Sequence, residues 1–248
     1  MSAQTEFRRE ELLIATIARL LQGLSHVATG ASSPIPGSAA LLARRRSGGR
    51  MRVSILGSRK NAPFSNGGVE LFDCAAEGRL DAFFLGGGEI DGEANINLVG
   101  TGDYPRSDVR FPGSFGSAYL YFLVPNVILF REEHTRRVMV PKVAFVSAPG
   151  TSPPGVYRPG GPIGLLSGLC WFRFDKARKR FALESVHPGT SVADVRDATG
   201  FDFDCTERVP ETEAPDRQTL ELIRGPVAAE VAEAYPAFAE RMFGAKAA

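Results

Sequence analysis

The sequence predicts an α/β protein: an open, mostly parallel sheet with helices on both faces, followed by C-terminal helices. Three observations predict it. Short apolar runs of strand length recur at Met51–Leu56, Leu80–Leu85 and Asn126–Phe130, as in strands buried on both faces of a parallel sheet. Segments with apolar residues at helical spacing alternate with such runs. Glycines stand where runs end, above all Gly86–Gly88. They let the chain turn sharply at the carboxyl ends of strands, which is where open α/β sheets bind ligands.

In order, Thr5–Leu21 reads as an amphipathic helix with Thr5 as N-cap and Phe7, Leu12, Leu13, Ile17, Leu20 and Leu21 on its apolar face. Ser25–Thr29 is a strand, and a small-residue loop from Gly30 leads into a helix over Pro36–Arg45. That loop lacks a P-loop lysine and dinucleotide spacing, so it is weak ground for phosphate binding. Met51–Leu56 is the next strand; Asn66-Gly67-Gly68 opens a helix to about Glu77, stopped by Gly78. The strand at Leu80–Leu85 ends in Gly86–Gly88, and a loop-rich stretch runs to Gly116. A helix is expected over Ser117–Leu123, strands at Asn126–Phe130 and Val138–Val146, and a long surface loop over Ser147–Gly168. Leu169–Phe174 pairs with Arg180–Ser185 as a hairpin. A helix over Ser191–Thr199 and a strand near Phe201–Phe203 follow, then helices over Asp216–Arg224 and Pro226–Met242. All of this suits one domain over residues 1–248, with 206–248 as a linker and helical extension.

Composition excludes more than it assigns. With 44% hydrophobic and 23% charged residues the chain suits a soluble globular class. A net charge of +1 gives no electrostatic case for nucleic acid or membrane. Arg44, Arg45 and Arg46 read as a solvated helix end. The three cysteines, Cys74, Cys170 and Cys205, are too far apart for a metal pair and read as reduced, buried thiols. Charges at Glu6, Arg8, Arg9, Glu10 and Glu11 occupy the place of a signal peptide's apolar run, so a cytoplasmic location is expected.

The chemistry-bearing residues leave two readings each. Gly86, Gly87 and Gly88 make a tight turn or admit a ligand to the backbone. Glu89 and Asp91 bond the loop backbone or act as acid and base. Asn95 and Asn97 orient a polar ligand or satisfy the loop. His134 is a polar turn residue or a base, His187 a turn residue and His26 a satisfied core or edge residue; none stands beside an evident serine or cysteine nucleophile. No metal site is expected.

Four stretches in one order go further: G-G-G-E-I-D-G-E-A-N-I-N from Gly86, R-F-P-G-S-F-G-S-A from Arg110, H-T-R-R-V from His134, and H-P-G-T-S-V-A-D-V-R-D-A-T-G-F-D-F from His187. Together they resemble the β subunit of class I CoA-transferases of the glutaconate CoA-transferase type. Asp194–Asp202, D-V-x-x-x-T-G-F-D, is the most specific part. The resemblance implies a NagB-like α/β fold and an α-subunit partner, in an αβ or α2β2 complex. It also implies an acyl-CoA site between the subunits, with coenzyme A as part of the substrate and no cofactor bound.

The resemblance also exposes departures. The family's β-subunit glutamate attacks the thioester from the strand end that corresponds to Val53–Ser58. By position it falls near Leu56, and no carboxylate occurs between Arg50 and Val69. The family's oxyanion segment corresponds to Gly113-Ser114-Phe115-Gly116, where backbone N–H groups of Phe115 or Gly116 would stabilise oxyanion charge. Phe115 replaces a glycine there and either fills space or lines an apolar acyl group. Both departures resemble the β subunit of the ring-opening acyl-CoA hydrolase of steroid degradation, which lacks that glutamate and relies on an α-subunit carboxylate. Three functions follow in order: a hydrolase opening a cyclic β-keto acyl-CoA, a CoA-transferase with its carboxylate elsewhere, and a non-catalytic CoA-binding subunit.

Overall fold

The structure, a computed structural model, describes residues 6–244, so the expected Thr5 cap lies outside the described residues. Contacts divide the chain into two compact units, residues 1–82 with 213–248 and residues 83–212.

The first unit begins with α1 (Arg9–Leu20), which buries Leu12, Leu13, Ile14 and Ile17. Glu11 accepts the Arg8 amide at 2.8 Å, closing the first turn. Then come β1 (His26–Thr29), α2 (Pro34–Arg46), β2 (Arg52–Ile55), α3 (Gly67–Ala76) and β3 (Ala82–Leu85). α2 starts two residues before the expected Pro36, because Pro34 has the fixed φ that suits a first helical position. β1 runs parallel to β2, Val27 opposite Val53, and parallel to β3, Val27 opposite Ala82. The order in this unit is therefore β3-β1-β2.

The second unit opens with Phe83–Leu85 of β3. Two small antiparallel pairs follow: β4 (Glu89–Ile90) with β5 (Ile96–Asn97), and β6 (Gly100–Thr101) with β7 (Val109–Arg110). Next are α4 (Ser117–Leu123), β8 (Asn126–Arg131), β9 (Pro162–Ser167), β10 (Cys170–Asp175), β11 (Arg180–Val186), α5 (Val192–Ala198) and β12 (Asp204–Cys205). Strand order in this unit is β3-β8-β9-β10-β11-β12. β8 and β9 are parallel, as are β11 and β12; β10 is antiparallel to both neighbours, which makes the expected hairpin with β11. Among the described pairings of β1–β3 and β8–β12, four are parallel and two antiparallel, mostly parallel as the sequence predicts. Phe172, Phe174, Phe181, Phe201 and Phe203 form an aromatic core, Phe172 and Phe203 meeting edge to face at 4.9 Å.

Three expectations for this unit need correction. No strand forms over Val138–Val146: Met139 makes only an isolated bridge to Ile90, and the amides of Val143 and Ala144 donate to the carboxylates of Asp91 and Glu89. Side chains take the backbone groups that a ladder would need. The expected Ser147–Gly168 loop contains β9, a buried strand. Its first residue is Pro162, whose missing N–H is tolerated there, and a Cβ on Gly164 would stand 2.2 Å from the Phe172 carbonyl oxygen. Turn-like residues concealed a strand. The short strand after α5 lies at Asp204–Cys205, while Phe201 and Phe203 enter the aromatic core.

The chain then returns to the first unit. α6 (Arg217–Leu222) continues through a π-helical turn at Ile223–Val227 into α7 (Ala228–Ala234), and α8 (Pro236–Phe243) follows. The expected break before Pro226 is absent; the wider turn accommodates its missing N–H, and the break comes at Tyr235. There the Tyr235 hydroxyl donates to the Gly30 carbonyl at 2.8 Å, and its ring occupies the space a Cβ on Gly37 would need. The arginines ending α2 are not simply solvated. Arg44 and Arg45 pair with Glu230, and Arg46 donates to Thr219, so they clamp α2 to α6 and α7.

Candidate active site

The polar stretch after β3 forms a closed bracket. A Cβ on Gly86 would approach the Phe130 carbonyl oxygen to 2.8 Å, on Gly87 Ile96 Cγ2 to 2.5 Å, and on Gly88 the Phe111 ring to 2.3 Å. The close approach these glycines permit is by the protein's own atoms. Asp91, only 4% exposed, accepts the Glu93 amide at 3.1 Å and the Asn95 amide at 3.0 Å on one oxygen. Its other oxygen accepts Asn95 Nδ2 at 3.1 Å and the Val143 amide at 3.4 Å. Glu89 Oε2 accepts Asn97 Nδ2 at 2.7 Å and the Ala144 amide at 2.8 Å. Asn95 Oδ1 takes the Gly150 amide, and Asn97 Oδ1 takes those of Val99 and Gly100. These four side chains join three segments of chain into one rigid piece.

The second predicted group is arranged differently. After β7 the chain passes Gly113 at φ 99°, Phe115 at φ 41° and Gly116 at φ 64°, and Gly116 caps α4. The Gly113 amide donates to the Leu98 carbonyl at 3.0 Å, and the Ser114 carbonyl accepts the amide and hydroxyl of Ser117. Phe115 is 70% exposed on left-handed backbone, a costly conformation for an aromatic residue. Packing on the ring therefore does not account for this conformation.

The bracket and this turn are connected. Tyr121 of α4 is fully buried and its hydroxyl donates to the Ala94 carbonyl at 2.8 Å. Burial pushes the Tyr121 phenol well above its ordinary pKa, so it stays a donor. Arg158 donates to the Tyr121 carbonyl at 2.9 Å and lies 5.1 Å over its ring. The helix that begins at Gly116 is thereby fixed to the loop that holds Asp91 and Asn95.

In the first unit, β2 ends at Ile55 and Leu56 is half-buried, its amide bonded to the Thr29 carbonyl at 3.0 Å. A carboxylate does reach the following turn. Glu233 of α7 accepts the Ser58 hydroxyl at 2.5 Å and the Arg59 amide at 2.6 Å. Burial, the largest single influence, raises its pKa, but those donors together with the charges of Lys60 and Arg59 hold it below the ordinary value. Sequence reasoning missed it because 175 residues separate Glu233 from Ser58.

A further group also escaped the sequence. His134 Nδ1 lies 2.7 Å from Ser167 Oγ and Nε2 lies 2.8 Å from Thr199 Oγ1, with Cys170 Sγ 3.9 Å from Nδ1. A histidine therefore stands beside a serine and a cysteine in space, brought there from distant parts of the sequence. Its partners come from β9, read as loop, from the start of β10 and from the residue that ends α5. Burial, with the charge of His187 second, lowers His134 to about 4, and burial pushes the Cys170 thiol up to about 12. A neutral buried imidazole and an un-ionised thiol make a core network, not a nucleophile pair. His187 is also more than a turn residue: it is buried, with Nε2 2.9 Å from the Ser167 carbonyl oxygen and Nδ1 2.9 Å from Thr212 Oγ1. Cys74 is buried, whereas Cys205 is half-buried. Among the described residues no three His, Cys, Asp or Glu side chains cluster as a metal site, and no helix is long and apolar enough to cross a membrane.

A coenzyme A transferase family model matches residues 8–198. The chain belongs to the coenzyme A transferase family. It is 33% identical over 153 residues to the β subunit of 3-oxoadipate CoA-transferase from Pseudomonas knackmussii, a match covering 59% of this chain and 58% of that protein. It is 34% identical over 148 residues to the β subunit of glutaconate CoA-transferase from Acidaminococcus fermentans, covering 57% and 54%. The match therefore spans little more than half the length of these relatives. A crystal structure of the decarboxylase AibA/AibB shares the fold at a TM-score of 0.76 and 27% identity, covering 88% of this chain and 95% of that one.

Proposed function

We propose that this chain is the β subunit of a two-subunit, cytoplasmic enzyme of the coenzyme A transferase family that opens a cyclic β-keto acyl-CoA by hydrolytic C–C cleavage. The observation that carries the reading is Leu56, an aliphatic side chain at the strand end where the transferase resemblance calls for an attacking glutamate. Without that glutamate no acyl anhydride forms on this chain, and water becomes the acceptor. Water adds to the ring ketone; the bond from that carbon to the carbon α to the thioester breaks, its electron pair passing to the α carbon as an enolate. A proton returns to the α carbon, and the former ketone carbon becomes a carboxylate at the other end of the same ring-opened acyl-CoA. The N–H groups of Phe115 and Gly116 would stabilise oxyanion charge, and the Phe115 ring would line the acyl group. Coenzyme A enters as part of the substrate, and the α subunit supplies the base. The decarboxylase AibA/AibB supports the reading, since decarboxylation is also a C–C cleavage on this fold.

A transferase remains a second reading because of Glu233, whose carboxylate lies on the turn after Leu56. One experiment separates the two. The chain is co-expressed with its α subunit and given linear and cyclic β-keto acyl-CoAs in ¹⁸O-water, with and without a free carboxylic acid. A labelled, ring-opened acyl-CoA formed without added acid is expected. New acyl-CoA only when acid is present, abolished by Glu233→Gln, would replace the hydrolase with a transferase.

A further inference from the structure

A cleft of about 660 Å³, the size of a small-molecule site, opens in the first unit. Arg19 reaches it from the last turn of α1, Arg46 from the last turn of α2, and Arg50 from the link into β2. Ser25 and Met51, the residues just before β1 and β2, also line it. The two strands are parallel, so the cleft stands at their amino ends, whereas Leu56 follows the carboxyl end of β2. Four residues of strand span roughly 13 Å, which sets an occupant of the cleft apart from the strand end at Leu56.

Charge decides what the cleft takes. Three arginines line it, and no carboxylate is among its lining residues. Arg19 and Arg46 have a structural reason for their sign, since cations suit the carboxyl ends of helices. Arg50 has none: it lies beyond the helix end, is exposed, and makes no ion pair or side-chain hydrogen bond among the described residues. Arg44 and Arg45 share the carboxylate of Glu230, whereas Arg46 meets only the neutral Thr219 hydroxyl. The carboxylates around the cleft are engaged elsewhere. Glu213 reaches Arg19 at 3.8 Å, Asp216 accepts the Thr219 amide, and Asp81 accepts the amides of Ser25 and His26. Burial first, and then the charge of Arg46, hold the Arg19 pKa below its ordinary value against the pull of Glu213. An anion in the cleft would offset that repulsion.

The turn that presents Arg50 is also fixed in advance. Ser47 Oγ donates to the Arg44 carbonyl at 2.7 Å and accepts the Met51 amide at 3.0 Å. Between them Gly48 and Gly49, at φ 67° and 82°, carry the chain through left-handed backbone. Ala18, Leu24 and Ala43 add an apolar part to the wall, with Leu24 half-buried. We propose that this cleft binds a small organic anion, a carboxylate or phosphate on an apolar body, with Arg46 and Arg50 holding its oxygens and Leu24 against its body. The planar guanidinium fork matches both head groups.

Calorimetric titration of the full chain tests this with phenyl phosphate, phenylacetate and uncharged benzyl alcohol. Saturable binding of one or both anions is expected, and none of the alcohol. Tighter phenyl phosphate would assign the site to phosphate esters, and tighter phenylacetate to carboxylic acids. Arg50→Gln should weaken binding about tenfold or more, the worth of one charge-assisted hydrogen-bonded pair. Arg52→Gln removes an exposed arginine outside the cleft and should leave affinity unchanged. Melting of each variant checks that it is folded. Should the Arg50 variant fail to fold, hydrogen exchange on the wild type takes its place, with protection by the tighter anion expected over residues 46–51. The proposal is overturned if neither anion binds, if benzyl alcohol binds as well, if Arg50→Gln changes nothing, if both substitutions weaken binding equally, or if that protection is absent. None of these readouts involves turnover, so they stand or fall apart from the proposed acyl-CoA activity.

Discussion

Between Gly86 and Asn97 the polar groups turn inward and bond one another, whereas between Gly113 and Gly116 the chain turns a phenylalanine outward on left-handed backbone. The first stretch holds the residue types usually associated with catalysis, two carboxylates and two carboxamides. The second holds almost none. Their surroundings reverse that expectation. Both Asp91 oxygens and Oε2 of Glu89 already accept donors from neighbouring segments, which is how a loop without a ladder is held. The Phe115 turn is exposed and held on left-handed backbone, the opposite of the bracket's buried and satisfied groups. Chemical type nominates a residue; burial and bonding decide what it can do.

The largest expected effect breaks the bracket. Asp91→Ala strands four donors in a buried site and should cost about 3 kcal/mol of stability, read as a lower urea midpoint. Asp91→Asn should fall between. A normal midpoint with turnover abolished in Asp91→Asn would make Asp91 a catalytic group and undo the contrast.

The His134 network extends the comparison to a second inward-facing polar group. Its pKa falls from 6.5 unfolded to about 4 folded, through burial first. The unfolded chain therefore binds the extra proton first as pH drops. The contribution is complete above pH 6.5 and lost progressively toward pH 4, on the order of 3 kcal/mol. Urea midpoints measured across that range should fall in the wild type and fall less in His134→Gln. Equal slopes would mean that other groups carry the acid sensitivity; His26, also held below its ordinary value by burial, is the first to test.

The smallest stability effect belongs to the outward turn. Phe115→Gly removes the left-handed strain and should leave stability unchanged or raise it by up to about 1 kcal/mol. In the complex the same change should lower kcat on acyl-CoA substrates. A loss of stability with unchanged kcat would assign Phe115 to packing and move the candidate site elsewhere.

Much of this was legible in the residues. Parallel strands at His26–Thr29, Arg52–Ile55 and Ala82–Leu85 follow from short apolar runs that no helix of useful length could use. The β10–β11 hairpin follows from two alternating runs across a short turn. β9 was not legible, because Gly160, Gly161, Pro162 and Gly164 signal a loop, while the strand exists for the neighbours it pairs with, β8 and β10. Nor was the Val138–Val146 segment, whose pattern suits a strand but whose amides are drawn to Asp91 and Glu89 from another part of the chain.

By itself the sequence determined the fold class, the family, and the lack of any carboxylate between Arg50 and Val69, because apolar periodicity, motif order and residue identity are local properties. Tertiary structure alone decided that Glu89 and Asp91 brace a loop, that His134 meets Ser167 and Cys170, and that Glu233 reaches the turn at Ser58. Those facts depend on which distant donor, acceptor or charge arrives within about 3 Å of a side chain, and hydrogen bonds are too short-ranged for spacing along the chain to foretell it.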